Sequence, residues 1–195
     1  MKKHYFIILF IILGFLASCS GDKPATPGQD TKDATVKPAV EEVKKVLPDH
    51  LQGERWVKHF KEDLLPYWNS PEAKGEPQGN FPTTRGMDGR VITETKDGKD
   101  LTVRYSRMLA RQVFFYSVGF MLTGEPEMLQ LAKDGCDWLA EHAWDKKNGG
   151  WFGILDKTGK AIPGEVKHAQ DTSYIAQAFA AYYFVTRDRD LEKYI

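Results

Sequence analysis

Residues 106–124 read SRMLARQVFFYSVGFMLTG. After Gln112 the run is almost wholly apolar, the pattern of a helix buried on most sides, yet Arg111 stands at its edge. Burying a guanidinium without partners costs on the order of several kcal/mol. Arg111 is therefore expected either to pair with an acid of a neighbouring helix or to face a wet cavity. A second run of the same character, IAQAFAAYYFV, fills residues 175–185. Helices that are apolar all round belong inside and amphipathic ones outside, which makes these two the inner members of a layered helical fold. The flanking segments read as outer helices. One is predicted over 51–68, with Trp56, Phe60, Leu64 and Tyr67 on one stripe. Another runs from Pro126, suited to a first helical turn, to about His142, with Met128, Leu131, Ala132, Gly135 and Leu139 inward. The inner helices are predicted over 103–122 and 172–185, the latter with Asp171 as N-cap candidate, and a fifth helix begins near Asp188.

These elements recur. GNFPTTRGMDGRVI begins at Gly79 and GGWFGILDKTGKAI at Gly149, so that Phe81 falls on Trp151, Gly89 on Gly159, Arg90 on Lys160 and Ile92 on Ile162. The same offset carries Trp68 onto Trp138. Each copy sets apolar residues on both sides of a Gly-containing turn, which predicts a short β-hairpin. MLTGEPEML from Met121 likewise resembles FVTRDRDLE from Phe184. The unit is helix, tight turn, helix, hairpin. Two layers of such helices with hairpins at one end describe an all-α toroid. The sequence stops at RDRDLEKYI, a turn or two into an outer helix with no capping signal. A stacked repeat cannot bury its open face without further copies, so residues 49–195 are expected to be the N-terminal portion of an incomplete ring.

Ahead of the repeats, MKKHYFIILFIILGFLASC places two lysines before an apolar run too short for an ordinary membrane span, the pattern of a signal peptide over residues 1–18. Leu16-Ala17-Ser18-Cys19 resembles a bacterial lipobox, which implies lipidation of Cys19 and anchoring by acyl chains. Ser20 stands where an inner-membrane retention signal usually has aspartate, so the outer membrane is the expected address. Residues 19–48 are rich in proline and charge and lack aromatics, as in a flexible tether. Net charge is zero and no basic stripe occurs, which argues against a nucleic-acid partner. Cys136, the other cysteine, reads as a small buried hydrophobe.

Six segments in register resemble the N-acylglucosamine 2-epimerases, the family of cellobiose 2-epimerases and mannose isomerases. They are LLPYW at Leu64, LARQVFF at Leu109, TGEPEMLQLAKDGCDWL at Thr123, GGWF at Gly149, DKTGK at Asp156 and YIAQAFAAYYFVTRD at Tyr174. The resemblance covers roughly residues 51–195 and implies the first two-fifths of an (α/α)6 barrel. Two departures stand out: 69–102 is longer and more polar than usual, and GNF replaces the usual GGF. The resemblance further implies that Arg111 binds substrate near the reacting hydroxyls and that Tyr174, 63 positions on, is a substrate-contacting tyrosine.

The implied chemistry is epimerisation at C2 of an aldose or N-acyl hexosamine, or aldose–ketose isomerisation. A base takes the proton alpha to the carbonyl of the opened sugar, an enediolate forms, and a proton returns from the other face or to C1. Histidine suits both proton transfers. A fixed arginine stabilises the enediolate oxygens. No cofactor is required, and no metal-ligand spacing is present. In the family the two histidines sit on later inner helices. Of those here, His4 lies in the leader, His50 and His59 near the first helix, and His142 on an outer helix, leaving only His168 near a barrel mouth. No catalytic residue is assigned, and these 195 residues alone are expected to be inactive. Two other readings stay open. A glycoside hydrolase or polysaccharide lyase of the same shape would use acids such as Asp171 and Glu165. A lipid-anchored glycan binder would stack sugars on Trp151, Phe152 and Tyr174.

Overall fold

Helix α1 is built in three joined stretches, and a proline explains the joint. It runs as an α-helix over Gly53–His59, widens to a π-turn over Phe60–Leu64 and resumes over Leu65–Trp68. Pro66 has no N–H for the carbonyl of Glu62, and its ring would crowd that carbonyl in a regular turn, so the helix opens at that point. Of the expected stripe, Phe60, Leu64 and Tyr67 share one face, with Phe60 buried and Leu64 exposed, while Trp56 is exposed. The computed structural model describes residues 48–195, so the leader, Cys19 and nearly all of the tether lie outside the described residues.

After the single-turn helix α2 (Pro71–Lys74), the chain makes hairpins and enters β1 (Arg104–Tyr105). Then come α3 (Ser106–Thr123), α4 (Pro126–His142), β2 (Ile154–Leu155) and α5 (Ala169–Thr186), and a 3-10 turn over Arg189–Tyr194 closes the sequence. The two strands pair antiparallel, Arg104 with Leu155 and Tyr105 with Ile154. Helix α3 is the hub, packed against both α4 and α5. Leu109, Val113 and Tyr116 of α3 meet Leu131 and Leu139 of α4 and Ile175 and Phe179 of α5 in a single buried cluster. Each such side chain contributes roughly 1.5–3 kcal/mol when fully buried. A β-carbon on Gly135 would stand 2.6 Å from Phe81, so the close approach of α4 depends on that glycine. The expected inward set of α4 is buried throughout, and so is Cys136, whose thiol is pushed well above its ordinary range by burial. The apolar character of α3 and α5 is not fully absorbed, since Phe114, Met121, Leu122 and Phe184 remain exposed.

The repeat is visible bond by bond. Gly124 and Arg187, 63 positions apart, both turn left-handed after their helices (φ 72° and 58°). Their N–H groups donate to Phe120 and Tyr183, while Thr123 and Thr186 back-bond to Gly119 and Tyr182. The hairpins match as closely. Gly86 N–H donates to Arg90 O (2.8 Å) and Ile92 to Thr84 (3.0 Å) in the first. Asp156 to Lys160 (2.8 Å) and Ile162 to Ile154 (3.2 Å) follow in the second. A third copy, not expected from the sequence, lies between them. Thr95 donates to Lys99 (2.9 Å) and Leu101 to Thr93 (2.8 Å), so TETKDGKDL (93–101) repeats TRGMDGRVI (84–92) directly. This duplication accounts for the polar excess in 69–102.

Asp171 is not an N-cap. The non-helical residue at the head of α5 is His168 (φ −92°, ψ 137°), and Asp171 sits inside the first turn with its carboxylate buried. The segment after Asp188 is a 3-10 turn rather than an α-helix, with the Asp188 carboxylate accepting from Asp190 N–H at 3.1 Å.

Candidate functional site

Helices α3 and α5 run side by side in the same direction, because Arg107 meets Asp171 and, one turn on, Arg111 meets Tyr174. The Arg111 guanidinium carbon lies 4.2 Å from the centre of the Tyr174 ring. Its nearest acceptor is a weak one, Met108 Sδ at 3.2 Å from Nη1. Among the described residues no carboxylate comes within ion-pair range of Arg111, and the side chain is exposed. Of the two environments expected for this cation, the open one is found.

That opening is a cavity of about 610 Å3 between α1, the first hairpin and α3. Arg111 and Arg85 both line it, with Tyr67, Trp68 and Phe115 supplying aromatic wall and Gln112 a polar edge; among the described residues no acid lines it. The two arginines differ. Arg85 stacks on Tyr67 (3.9 Å) and donates to Tyr67 O (2.9 Å) and Ser70 Oγ (3.2 Å), so it is spent on fastening the hairpin to α1. Gln112 is likewise committed, its Nε2 donating to Ala73 O and to the Tyr116 hydroxyl, both at 2.8 Å. Tyr116 in turn donates to Trp68 O at 2.6 Å, and burial pushes its pKa up to about 12. These bonds stiffen the wall behind Arg111. A half-fixed cation beside aromatic faces and an apolar wall can orient a polyol and stabilise negative charge developing on its oxygens.

The other candidates are dispersed. Asp171 is paired with Arg107 and buried, and Glu165 is an exposed loop residue, so the two acids make no catalytic couple at this cavity. Trp151 is buried against Trp144, Phe179 and Tyr194, which removes it as a platform for sugar. Phe152 is half-buried under the ammonium of Lys167, and His168 is exposed; neither lines the cavity, nor do His50, His59 and His142. Among the described residues no three His, Cys, Asp or Glu side chains cluster as metal ligands would. Arg85 and the Arg107–Asp171 pair went unread in the sequence. A signal existed for Arg85, since the repeat puts a cation where the second copy has Leu155, as a side chain leaving the core would require.

Comparison with known proteins bears on this geometry. The family model N-acylglucosamine 2-epimerase (GlcNAc 2-epimerase) matches residues 90–193. The cellobiose 2-epimerase of Eubacterium cellulosolvens is 26% identical over 136 residues, 70% of this chain and 31% of that protein. That of Ruminococcus albus is 24% identical over 151 residues, 77% of this chain and 33% of the relative. The chain thus spans about a third of the length of the curated relatives it matches. In fold it resembles the structure of cellobiose 2-epimerase from Bacillus thermoamylovorans B4167, with a TM-score of 0.57 at 20% identity over 72% of this chain and 35% of the other. A sugar epimerase from a ruminal bacterium gives a TM-score of 0.58 at 20% identity, covering 72% and 34%.

Proposed function

The chain belongs to the N-acylglucosamine 2-epimerase family, and from that footing we propose that it forms part of a carbohydrate 2-epimerase or isomerase. In this reading α3 and α5 are adjacent inner helices of an (α/α)6 toroid, and Arg111 and Tyr174 are sugar ligands on its inner wall. The reaction is proton removal at C2 of an aldose or N-acyl hexosamine, followed by return of a proton to the enediolate from the opposite face or to C1. The observation that carries the proposal is the exposed Arg111, stacked on Tyr174 and free of any carboxylate among the described residues. Its donors are available to enediolate oxygens as charge builds there, and no fixed carboxylate competes for them. No base or acid is assigned within this chain, because among the described residues no histidine lines the cavity. Further inner helices of the proposed ring would supply them. Leader cleavage, lipidation at Cys19 and placement on the outer membrane belong to the same proposal; intact mass of the mature protein, with Cys19→Ala as control, tests them.

The reaction is tested by expressing the full reading frame that contains this sequence and incubating the product with mannose, N-acetylmannosamine and cellobiose in deuterated water. Deuterium is expected at C2 of at least one of these sugars. Absence of exchange at C2 of every aldose would remove the epimerase reading.

A further inference from the structure

Four contacts converge where α3 begins. Ser106 N–H donates to Gly153 O at 2.9 Å, and its hydroxyl donates to Phe152 O at 2.6 Å, which ties the helix start to the second-copy hairpin. One residue on, Arg107 Nη1 donates to Asp171 Oδ1 at 3.1 Å across to α5. The second carboxylate oxygen of Asp171 lies against Gly153, where any β-carbon would collide with it. The Asp171 side chain is only 2% exposed, whereas that of Arg107 is 35% exposed and leans over the Tyr105 ring. A buried carboxylate of this kind is tolerated only while its counter-cation stays in place.

The step from Arg107 to Arg111 is one helical turn, and so is the step from Asp171 to Tyr174. The ion pair therefore stands one turn before the Arg111–Tyr174 stack on the same two helices. The shared core of α3 and α5 already lays the two helices side by side; the ion pair fixes their first turns, one turn before the stack. The stack cannot do this alone, because an exposed cation–π contact is weak and Arg111 is otherwise held only by a thioether sulfur. We propose that Arg107 and Asp171 are positioning residues, a half-buried ionic clasp that fixes the first turn of α5 against α3 and so delivers Arg111 to the face of Tyr174. The geometric half stands on the contacts themselves. Its consequence for turnover rests on the sugar-binding reading of Arg111 given above.

The test has two arms. In the protein from the full reading frame, NMR follows the cross-relaxation between the Arg111 Nε–H proton and the Tyr174 ring protons. Arg107→Met is expected to abolish it and Arg107→Lys, which keeps the charge, to retain it. If Arg107→Met does not fold, Asp171→Asn, of the same shape without the charge, carries the same expectation of loss. In the protein from the full reading frame, Arg107→Met should lower kcat about 10- to 100-fold with KM little changed. In an Arg111→Leu background it should cost no more than about two-fold, because a residue acting through Arg111 has nothing left to position. Cross-relaxation that survives loss of the pair would overturn the proposal. So would a kcat loss of equal size with and without Arg111, the mark of a general brace. A wild-type protein without exchange activity would remove the epimerase reading, and the NMR arm would still decide the clasp.

Discussion

Three arginines near the candidate site show how one side chain takes on three duties. Arg85 spends its donors on backbone and hydroxyl, and Arg107 on a buried carboxylate, while Arg111 meets a sulfur atom and a ring. Of the three, Arg111 is the one that meets no oxygen acceptor among the described residues. Behind it, Tyr116 is held neutral by burial, with its pKa raised to about 12 from an ordinary 10.0. Because the folded value lies above the unfolded one, the folded state holds its proton more tightly between the two. The stabilisation is therefore complete below about pH 10 and declines as pH rises toward 12. Tyr116→Phe should flatten that alkaline decline in urea unfolding curves. It should also cost roughly 1–3 kcal/mol at pH 7, since Trp68 O loses its donor and Gln112 an acceptor. An unchanged alkaline slope in the variant would show that other groups govern it.

At the level of elements, the hairpin is the unit that repeats most exactly, and its glycines separate two kinds of cost. Gly98 and Gly159 both sit at positive φ, 81° and 93°. A β-carbon on Gly98 would meet nothing within 4 Å, whereas one on Gly159 would strike the His142 imidazole. Gly98→Ala should thus cost about 1–2 kcal/mol from backbone strain alone. Gly159→Ala should cost clearly more and lower Tm further; equal losses would mean that the imidazole moves aside freely. A second element-level device joins the segments on either side of the β2 hairpin, where Lys167 Nζ donates to Asp145 Oδ2 at 2.5 Å and to Gly149 O at 2.6 Å. Lys167, then Asn148, hold the Asp145 carboxyl far below the usual carboxylate range. Its contribution is present above the ordinary carboxylate pKa and is lost as pH falls. Lys167→Met should accordingly make the protein less stable at pH 7 and shrink the stability difference between pH 7 and pH 3. A difference as large as in the wild type would place the acid sensitivity elsewhere.

Across the whole molecule, the helices and their order were legible because apolar period and repeat offset agree, and Pro126 and Gly124 mark helix ends by local chemistry. What escaped the sequence depends on contacts between distant segments. The Asp171 side chain could cap its own helix or cross to Arg107, and only the packing of α5 on α3 decides between them. The nine-residue duplication at 93–101 was hidden because its charged positions break the apolar pattern of the other copies. The π-turn ahead of Pro66 is a local widening that regular periodicity does not foresee. The candidate site was half legible: Arg111 stood out as a cation in an apolar run, while its meeting with Tyr174 required the fold. Everything functional turns on that cation gripping a sugar rather than bracing the scaffold. The most direct measurement compares deuterium incorporation at C2 by the protein from the full reading frame with that by its Arg111→Leu variant, alongside their melting temperatures. The account predicts a loss of roughly 100- to 1000-fold in rate with little change in Tm. A normal rate of exchange with a sharply lowered Tm would contradict it.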